Sequence, residues 1–195
     1  MTAGLRIAST FTFDHNQHMN LRLSAVLPAF LVFATPLQAS GVESAGTVTA
    51  IALPLTAAGI TALKQDWTGS AQLIVDTGLT VGTAYALKHV IKEERPDKSD
   101  LKSFPSDTAA LAFAPAQFLW DRYGWEYGAP AYLAAGFVAW SRVDAKKHHA
   151  WDVAASAVLS FAWSKLITTE YVPRGFYSSA AVEPDGASVT MGYRW

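Results

Sequence analysis

The chain of 195 residues contains no cysteine, and this absence removes three classes of site at once. Without thiols there can be no disulfide framework, no thiolate nucleophile and no zinc site with cysteine ligands. Charge is also scarce, because charged residues make up 16% of the sequence and the formal net charge is −1. A nearly neutral chain has no overall positive field to attract nucleic acid, so we expect no nucleic-acid partner.

The first forty residues have the pattern of a targeting segment rather than of a fold. Met19 is followed by Arg22, by an apolar run over residues 23–33 and, further on, by Ala39. A basic start, an apolar stretch of about ten residues and a small residue at the cleavage position are typical of a signal peptide. We interpret three segments: residues 1–18 as an extension foreign to the native protein, 19–39 as the signal peptide, and 40–195 as one domain exported to the periplasm or cell envelope.

Long uncharged runs are scarce in the predicted mature domain. Although 51% of the residues are hydrophobic, only residues 44–63 provide about twenty consecutive uncharged positions, the length that a membrane span needs. The other apolar segments extend for about a dozen residues before a charged residue interrupts them. We therefore expect a periplasmic domain that contacts the membrane, with an integral membrane bundle as the alternative.

Apolar residues recur at helical spacing through most of this domain. Asp66 is the predicted N-cap of the second helical segment, and proline is expected to kink the first at Pro54 and to interrupt the third at Pro115. Residues 93–105 are polar and end in proline, which predicts a loop, and residues 121–128 are a predicted turn. The pattern predicts five helices, over residues 47–63, 66–90, 106–120, 130–140 and 149–168.

The end of the chain differs in its pattern. Over residues 180–195, apolar and polar residues alternate on both sides of Asp185-Gly186, a dipeptide that favours a tight turn between two strands. We expect a short hairpin packed on the helices. The predicted fold class is therefore all-α, a compact bundle of about five helices with a short C-terminal β-hairpin.

Three segments hold most of the informative polar residues, and together they suit the binding of a phosphoryl group. Lysine and arginine supply fixed positive charge, and a guanidinium group can donate two hydrogen bonds to phosphate oxygens. Ser106 stands at a predicted helix start, where backbone N–H groups form an anion site. His148 and Asp152 are four residues apart, and an aspartate that holds one ring nitrogen leaves the other free to attack phosphorus. The set predicts a phosphate cage with a histidine nucleophile.

The motifs resemble those of a known family. Lys88, six residues and Arg95-Pro96 form the first, Phe104-Pro105-Ser106 lies in the second, and Ser141-Arg142, five residues, His148, three residues and Asp152 form the third. In this order and spacing the chain is similar to the phosphatidic acid phosphatase type 2 superfamily, which includes lipid phosphatases, acid phosphatases and vanadium haloperoxidases. The resemblance implies that Lys88, Arg95, Ser106 and Arg142 bind the phosphoryl oxygens. It further implies that His148 becomes a phosphohistidine oriented by Asp152, without a metal or other cofactor.

The second motif departs from the family pattern, in which a glycine and a proton-donating histidine follow the serine. Asp107 and Thr108 occupy those positions here. A threonine hydroxyl does not give up a proton at neutral pH, so Asp107 and His149 are the candidate general acids. The substrate implied is a phosphorylated small molecule or lipid, favoured as a lipid phosphate or diphosphate because the chain is apolar and predicted to be exported.

Other functions remain open at this point. The main alternative is a homologue that binds a phosphate ligand but has lost turnover, because Thr108 replaces the histidine of the family pattern. A vanadate-dependent haloperoxidase shares the cage, although this chain is far shorter than those enzymes. A purely structural function in the envelope would not explain why the three motifs occur together. The spacing of His148, His149 and Asp152 does not match a recognised zinc site, so we expect no metal.

Overall fold

The computed structural model describes residues 39–172, 175–183 and 186–194. The helices are α1 (Ala39–Leu63), α2 (Trp67–Val90), α3 (Asp107–Tyr123), α4 (Trp125–Asp144) and α5 (Ala150–Ile167). Strands β1 (Gly175–Glu183) and β2 (Gly186–Arg194) pair antiparallel, with Gly175 opposite Arg194 and Glu183 opposite Gly186. The predicted class, an all-α bundle with a C-terminal hairpin, is confirmed, although β1 begins before residue 180. The predicted N-terminal extension and almost all of the predicted signal peptide lie outside the described residues.

The helices alternate in direction, so the bundle has two ends. One end gathers the start of α1, α3 and α5 with the end of α2 and α4, as the Arg142–Glu43 contact shows. The opposite end is joined by ion pairs between Arg122 and Asp66 and between Lys165 and Asp121. Because of this alternation, the three sequence motifs, which are separated along the chain, lie together at the first end.

Helix α3 packs against the other four helices because its side chains are small. Five of its alanines are fully buried: Ala109, Ala110, Ala112, Ala114 and Ala116. On α5, three buried serines follow at intervals of four residues: Ser156, Ser160 and Ser164. Small residues allow helix backbones to approach closely, and their hydroxyl groups bond to neighbouring backbone or carboxylate oxygens. The interior is therefore filled mainly by closely packed helices rather than by large side chains.

Helix boundaries follow the predicted capping residues. Asp66 is the N-cap of α2 and accepts a hydrogen bond of 2.9 Å from the backbone N–H of Gly69, as predicted. Ser106 is the N-cap of α3, where its hydroxyl accepts a hydrogen bond from the backbone N–H of Ala109. The loop predicted over residues 93–105 is present between these helices. These boundaries are encoded locally, because a short polar side chain satisfies the free N–H groups of a first helical turn.

Several predicted helix bounds were wrong, two of them at Pro115 and Pro130. Helix α1 continues through Pro54 and begins at Ala39, eight residues before its predicted start. Helix α3 continues through Pro115, and α4 begins at Trp125 rather than at Pro130. The predicted turn over residues 121–128 is reduced to a single separating residue. Proline removes one hydrogen bond from a helix, but packing on neighbouring helices outweighs that loss here.

Candidate active site

Two loops meet at the first end of the bundle, residues 91–106 between α2 and α3 and residues 145–149 between α4 and α5. The guanidinium of Arg95 donates to the carbonyl oxygen of Lys147 at 3.0 Å. The Lys147 ammonium in turn donates to Asp97 at 2.8 Å. Asp97 carries a lowered pKa because it accepts hydrogen bonds from Lys147 and from its own loop. These bonds bring residues separated by some fifty positions in the sequence into one site.

His148 is held in one tautomer at the base of this site. Its Nδ1 lies 2.7 Å from the carbonyl oxygen of Ser103, which accepts only, so Nδ1 carries the proton. The second ring nitrogen, Nε2, lies 3.5 Å from Nη1 of Arg95. Burial lowers the pKa of His148 to about 4, and the positive charges of Arg95 and Lys88 act in the same direction. The ring is therefore neutral at pH 7, with its free lone pair on Nε2.

Asp152 lies in the first turn of α5 and reaches His148 indirectly. Its Oδ2 accepts hydrogen bonds from the Ser103 hydroxyl at 2.5 Å and from the backbone N–H of His149 at 2.8 Å. The distance from Oδ2 to Nδ1 of His148 is 3.6 Å, longer than the bond from Nδ1 to the Ser103 carbonyl. His148 precedes α5, so the two residues share no helical face. Asp152 therefore positions the loop that holds the ring.

Lys88 reaches the site from the end of α2. Only 6% of its side chain is exposed, and its ammonium group lies 2.7 Å from Oδ2 of Asp107. Oδ1 of Asp107 is buried and has no hydrogen-bond partner among the described residues. Ser106, the neighbouring N-cap, is fully buried. A buried lysine thus stands beside a carboxylate and the N-terminus of a helix.

The two arginines of the predicted cage point in different directions. Arg95 is steadied by Asp100, whose Oδ1 accepts from Nε at 2.7 Å, and its Nη1 faces His148. Arg142 is buried against α1, where its Nη2 donates to the carbonyl oxygen of Glu43 at 2.5 Å. A Cβ atom at Gly46 would overlap the Ser141 hydroxyl oxygen and lie 3.2 Å from Nη2 of Arg142, so glycine leaves room for the close approach of α1 to these two residues. The geometry therefore joins Arg95 to His148 and directs Arg142 to α1.

His149 faces away from the cage. Its ring stacks on Trp151, with centroids 4.3 Å apart and an interplanar angle of 7°. Its Nδ1 lies 3.4 Å from a carboxylate oxygen of Glu93, which also accepts a hydrogen bond of 2.7 Å from the Trp151 indole. Thr108, at the position of the family histidine, is half-buried in the first turn of α3. Of the two candidate acids, Asp107 is the one that contacts a cage residue.

Comparison with known proteins agrees with the motifs. The family model described as the PAP2 superfamily matches residues 89–175. The chain is also 27% identical over 159 residues to a lipid A 4'-phosphatase from Helicobacter pylori (strain J99), an alignment that covers 73% of this chain and 80% of the relative. Together these two matches support the PAP2 superfamily as the family of this chain. No solved structure matches it significantly. The family match and the relative both support phosphatase activity.

The region matched by the PAP2 family contains four of the five phosphate-binding and nucleophilic residues predicted from the sequence: Arg95, Ser106, Arg142 and His148. Lys88 lies one residue ahead of it. The structure nevertheless brings Lys88 to the same end of the bundle through α2, where its positive charge acts on His148. The set predicted from spacing is thus collected in space, with the Arg142 guanidinium as the exception.

One group of three residues could hold a metal ion. The ligand atoms of Glu93, His149 and Asp152 all lie within 4.8 Å of one another. The carboxylate oxygens already accept hydrogen bonds, from Trp151 in the case of Glu93 and from Ser103 in the case of Asp152. A bound ion would have to replace those donors. The group lies beside the cage rather than between Lys88 and His148, so it offers no evident place in phosphoryl transfer.

Sequence reasoning missed Ser103, which makes the closest contact with the ring of His148. Ser103 contributes its backbone carbonyl oxygen to His148 and its hydroxyl to Asp152. A backbone carbonyl leaves no signature in a sequence, so no spacing could have indicated this role. Asp100 and Glu43, the partners of the two arginines, were also missed. An acidic residue five positions after Arg95 was a weak signal, whereas Glu43 reaches Arg142 only through the tertiary fold.

Proposed function

We propose that this member of the PAP2 superfamily hydrolyses a phosphate group from a lipid of the cell envelope, through a phosphohistidine at His148. One observation carries the proposal: a buried, neutral imidazole has its Nδ1 fixed by the Ser103 carbonyl and its Nε2 beside the Arg95 guanidinium. A nucleophile needs a free lone pair and a neighbouring group that positions the electrophile. Arg95 and His148 meet both needs.

In the proposed reaction, Lys88 and Arg95 bind the phosphoryl oxygens together with the N–H groups that follow Ser106. Nε2 of His148 attacks phosphorus, so a P–N bond forms while the P–O bond to the lipid breaks. Water then attacks the phosphohistidine, the P–N bond breaks and inorganic phosphate leaves. Arg142 remains the third proposed phosphate ligand, and it must release Glu43 to take that role. The cationic side chains supply the charge stabilisation, so the proposed reaction needs no metal.

The outer surface of the bundle supports a lipid substrate. Large apolar side chains are exposed on the helices, with Leu133 at 79%, Ile74 at 72% and Val158 at 66% exposure, while alanines and serines fill the interior. Extensive exposed apolar surface is typical of contact with lipid or with another protein, and small residues between helices are typical of membrane bundles. These features favour the integral alternative over the periplasmic domain that the sequence led us to expect.

The height of this apolar surface suits a bilayer. Helix α4 has no charged residue between Glu126 and Arg142, and residues 44–63 of α1 are uncharged as well. At about 1.5 Å per residue these segments extend for about 22 and 30 Å, comparable to the hydrocarbon thickness of about 30 Å. Among the described residues, one helix (Gly41–Leu63) is long and apolar enough by itself to cross a membrane.

Exposed tryptophans mark both edges of the apolar surface. Trp67 and Trp125, which are 74% and 68% exposed, lie at the end opposite the site. Trp140 and Trp151, which are 52% and 57% exposed, lie at the site end. Tryptophan is enriched where a membrane protein crosses the two interfaces of a bilayer. The site would then lie at the level of lipid head groups, where the phosphate of an envelope lipid is found.

The test is phosphate release by the purified full chain in detergent with a chelator, on p-nitrophenyl phosphate, a polyprenyl diphosphate and a phosphorylated lipid A. We expect hydrolysis of at least one lipid substrate, insensitive to chelation, inhibited by vanadate and abolished in His148→Ala. Phosphate release that requires an added divalent ion, or that survives in His148→Ala, would contradict the proposal. A folded protein that binds phosphate or vanadate without hydrolysing anything would instead establish the non-catalytic binding function.

A further inference from the structure

The proposed reaction needs a proton for the departing lipid oxygen, and the structure offers one group in the right place. We propose that Asp107 is the general acid of this enzyme, in place of a histidine at Thr108. The inference rests on the proposed function. Asp107 stands at the first position of α3, and its Oδ2 lies 2.7 Å from the ammonium group of Lys88.

The relative positions of two pairs carry the inference. Lys88 contacts Asp107, and Arg95 contacts His148. A phosphoryl group bound by both the Lys88 ammonium and the Arg95 guanidinium would therefore have Asp107 beside one cationic ligand and His148 beside the other. In-line displacement places the nucleophile and the leaving oxygen on opposite sides of phosphorus. With His148 as the nucleophile, we assign the leaving oxygen to the side of Asp107.

Substrate binding favours the protonated form of Asp107. In the free site its Oδ2 is paired with Lys88, while its Oδ1 is buried without a hydrogen-bond partner among the described residues. A bound phosphoryl group brings negative charge next to this carboxylate and draws the Lys88 ammonium toward the phosphate oxygens. Like charge and the loss of a cationic partner both favour a neutral carboxyl group. Lys88 is the one cationic group in direct contact with Asp107 among the described residues.

The other candidate is less suitably placed. His149 stacks on Trp151, and its Nδ1 lies 3.4 Å from Glu93, 3.4 Å from the Ser103 hydroxyl and 3.5 Å from Asp152. Its backbone N–H is also bound by Asp152 as part of the start of α5. Each of these contacts holds His149 away from the pair formed by Lys88 and Asp107. Its position suits the support of Asp152 rather than proton transfer to a leaving group.

The proton balance closes over one turnover. As the P–N bond to His148 forms and the P–O bond breaks, the electron pair stays on the lipid oxygen, which takes the proton from Asp107. In the second half, the Asp107 carboxylate accepts a proton from water as the water oxygen attacks phosphorus and the P–N bond breaks. Phosphate leaves, and Asp107 is protonated again. One residue therefore serves both halves of the reaction.

Leaving groups that differ in basicity test this role. The full chain and Asp107→Asn are compared on p-nitrophenyl phosphate, whose phenolate leaves without a proton, and on phosphatidic acid, whose alkoxide needs one. We expect Asp107→Asn to lower kcat/KM, which reports the steps up to formation of the phosphohistidine, by about 10²- to 10⁴-fold on phosphatidic acid and by less than about threefold on p-nitrophenyl phosphate. Asp107→Glu should restore part of the activity on phosphatidic acid. Thr108→Ala is the matched control, and we expect it to change neither rate appreciably.

Vanadate binding distinguishes a catalytic role of Asp107 from a structural one. Since Asp107→Asn removes a carboxylate that competes for Lys88, the variant should bind inorganic vanadate at least as tightly as the wild type. Equal loss of kcat/KM on both substrates, or a selective loss of kcat/KM on phosphatidic acid in His149→Gln instead, would overturn the assignment of Asp107 while leaving the proposed function intact. A wild-type protein that hydrolyses neither substrate would overturn the proposed function, and the general acid with it.

Discussion

The two ends of the bundle each contain buried opposite charges, but they differ in how completely those charges are paired. At the end opposite the site, Asp66 accepts hydrogen bonds from Nε and Nη2 of Arg122 at 2.8 and 2.6 Å, from the Tyr123 hydroxyl at 2.7 Å and from the N–H of Gly69 at 2.9 Å. The remaining guanidinium nitrogen donates to Thr169. Both carboxylate oxygens of Asp66 and all three guanidinium nitrogens of Arg122 therefore have hydrogen-bond partners.

The site end is only partly paired. Buried oxygens of Asp107 and Asp152 have no hydrogen-bond partner among the described residues, and Nε2 of His148 faces only a long contact to Arg95. A fully paired cluster stabilises the fold, because breaking any of its hydrogen bonds would leave a buried polar group without a partner. A partly paired cluster retains capacity for a ligand. The difference agrees with the proposal that one end holds the helices together and the other binds phosphate.

The largest effect is expected from the nucleophile. His148→Ala should lower kcat by about 10³-fold or more, because no other group can form the covalent intermediate. The measurement is phosphate release from the lipid substrate, with the thermal midpoint as the control for folding. If His148→Ala kept a tenth of the activity, the partly paired end would not be the site of a covalent reaction.

Substitutions at the fully paired end should lower the stability of the fold rather than the activity. Arg122→Ala leaves Asp66 buried without its cation, and we expect a loss of about 3–5 kcal/mol in the free energy of unfolding. Thermal unfolding followed by circular dichroism measures this loss. Lys88→Ala is the matched control at the other end, since it should abolish phosphate binding with a much smaller change in stability. Reversal of these two results would contradict the division of roles.

The same pair predicts a dependence of stability on acid. Burial acts to raise the pKa of Asp66, but hydrogen bonds and charge from Arg122 lower it to about 2. A carboxyl group with a lowered pKa stabilises the folded state above its ordinary value of 3.8 and loses that contribution as pH falls toward about 2. This part of the acid dependence should disappear in Arg122→Ala.

The state of His148 gives the next effect. With a pKa of about 4, its ring stays mostly neutral at pH 5, where an ordinary histidine would be about 30-fold less populated in the neutral form. An NMR titration of the ring, assigned by its loss in His148→Ala, measures this directly. Between pH 6.5 and pH 4 the unfolded chain binds a proton at this histidine more readily than the folded chain does. The free energy of unfolding should therefore decrease as the pH is lowered from 6.5 to 4. A midpoint near 6.5 would contradict a buried ring.

The smallest effect is expected at Ser103. Ser103→Ala keeps the carbonyl that binds His148 but removes the hydroxyl that donates to Asp152, so the loop is held less firmly. A lost bond to a charged group of about 1.5 kcal/mol corresponds to a decrease in kcat of about tenfold. Ser99→Ala, in the exposed part of the same loop, is the control. No difference between the two variants would show that Asp152 acts on His148 without Ser103.

Local sequence signals were sufficient for much of the fold. Asp66 was predicted as a capping residue and Ser106 as a helix start, and both side chains satisfy N–H groups only a few positions away. The uninterrupted course of α3 through Pro115 could not be predicted in the same way. It depends on packing between helices, which compensates for the hydrogen bond that proline removes and is not a property of the segment itself.

The sequence by itself determined the helical class, and its motifs indicated the PAP2 superfamily and the candidate site residues, because periodicity, capping and motif spacing are all properties of the local sequence. Only the tertiary structure decided the contacts among those residues. It placed the Ser103 carbonyl on His148, paired Lys88 with Asp107 and directed Arg142 to α1. Such contacts depend on which loops and helix ends meet at one end of the bundle, and that is set by the packing of all five helices together.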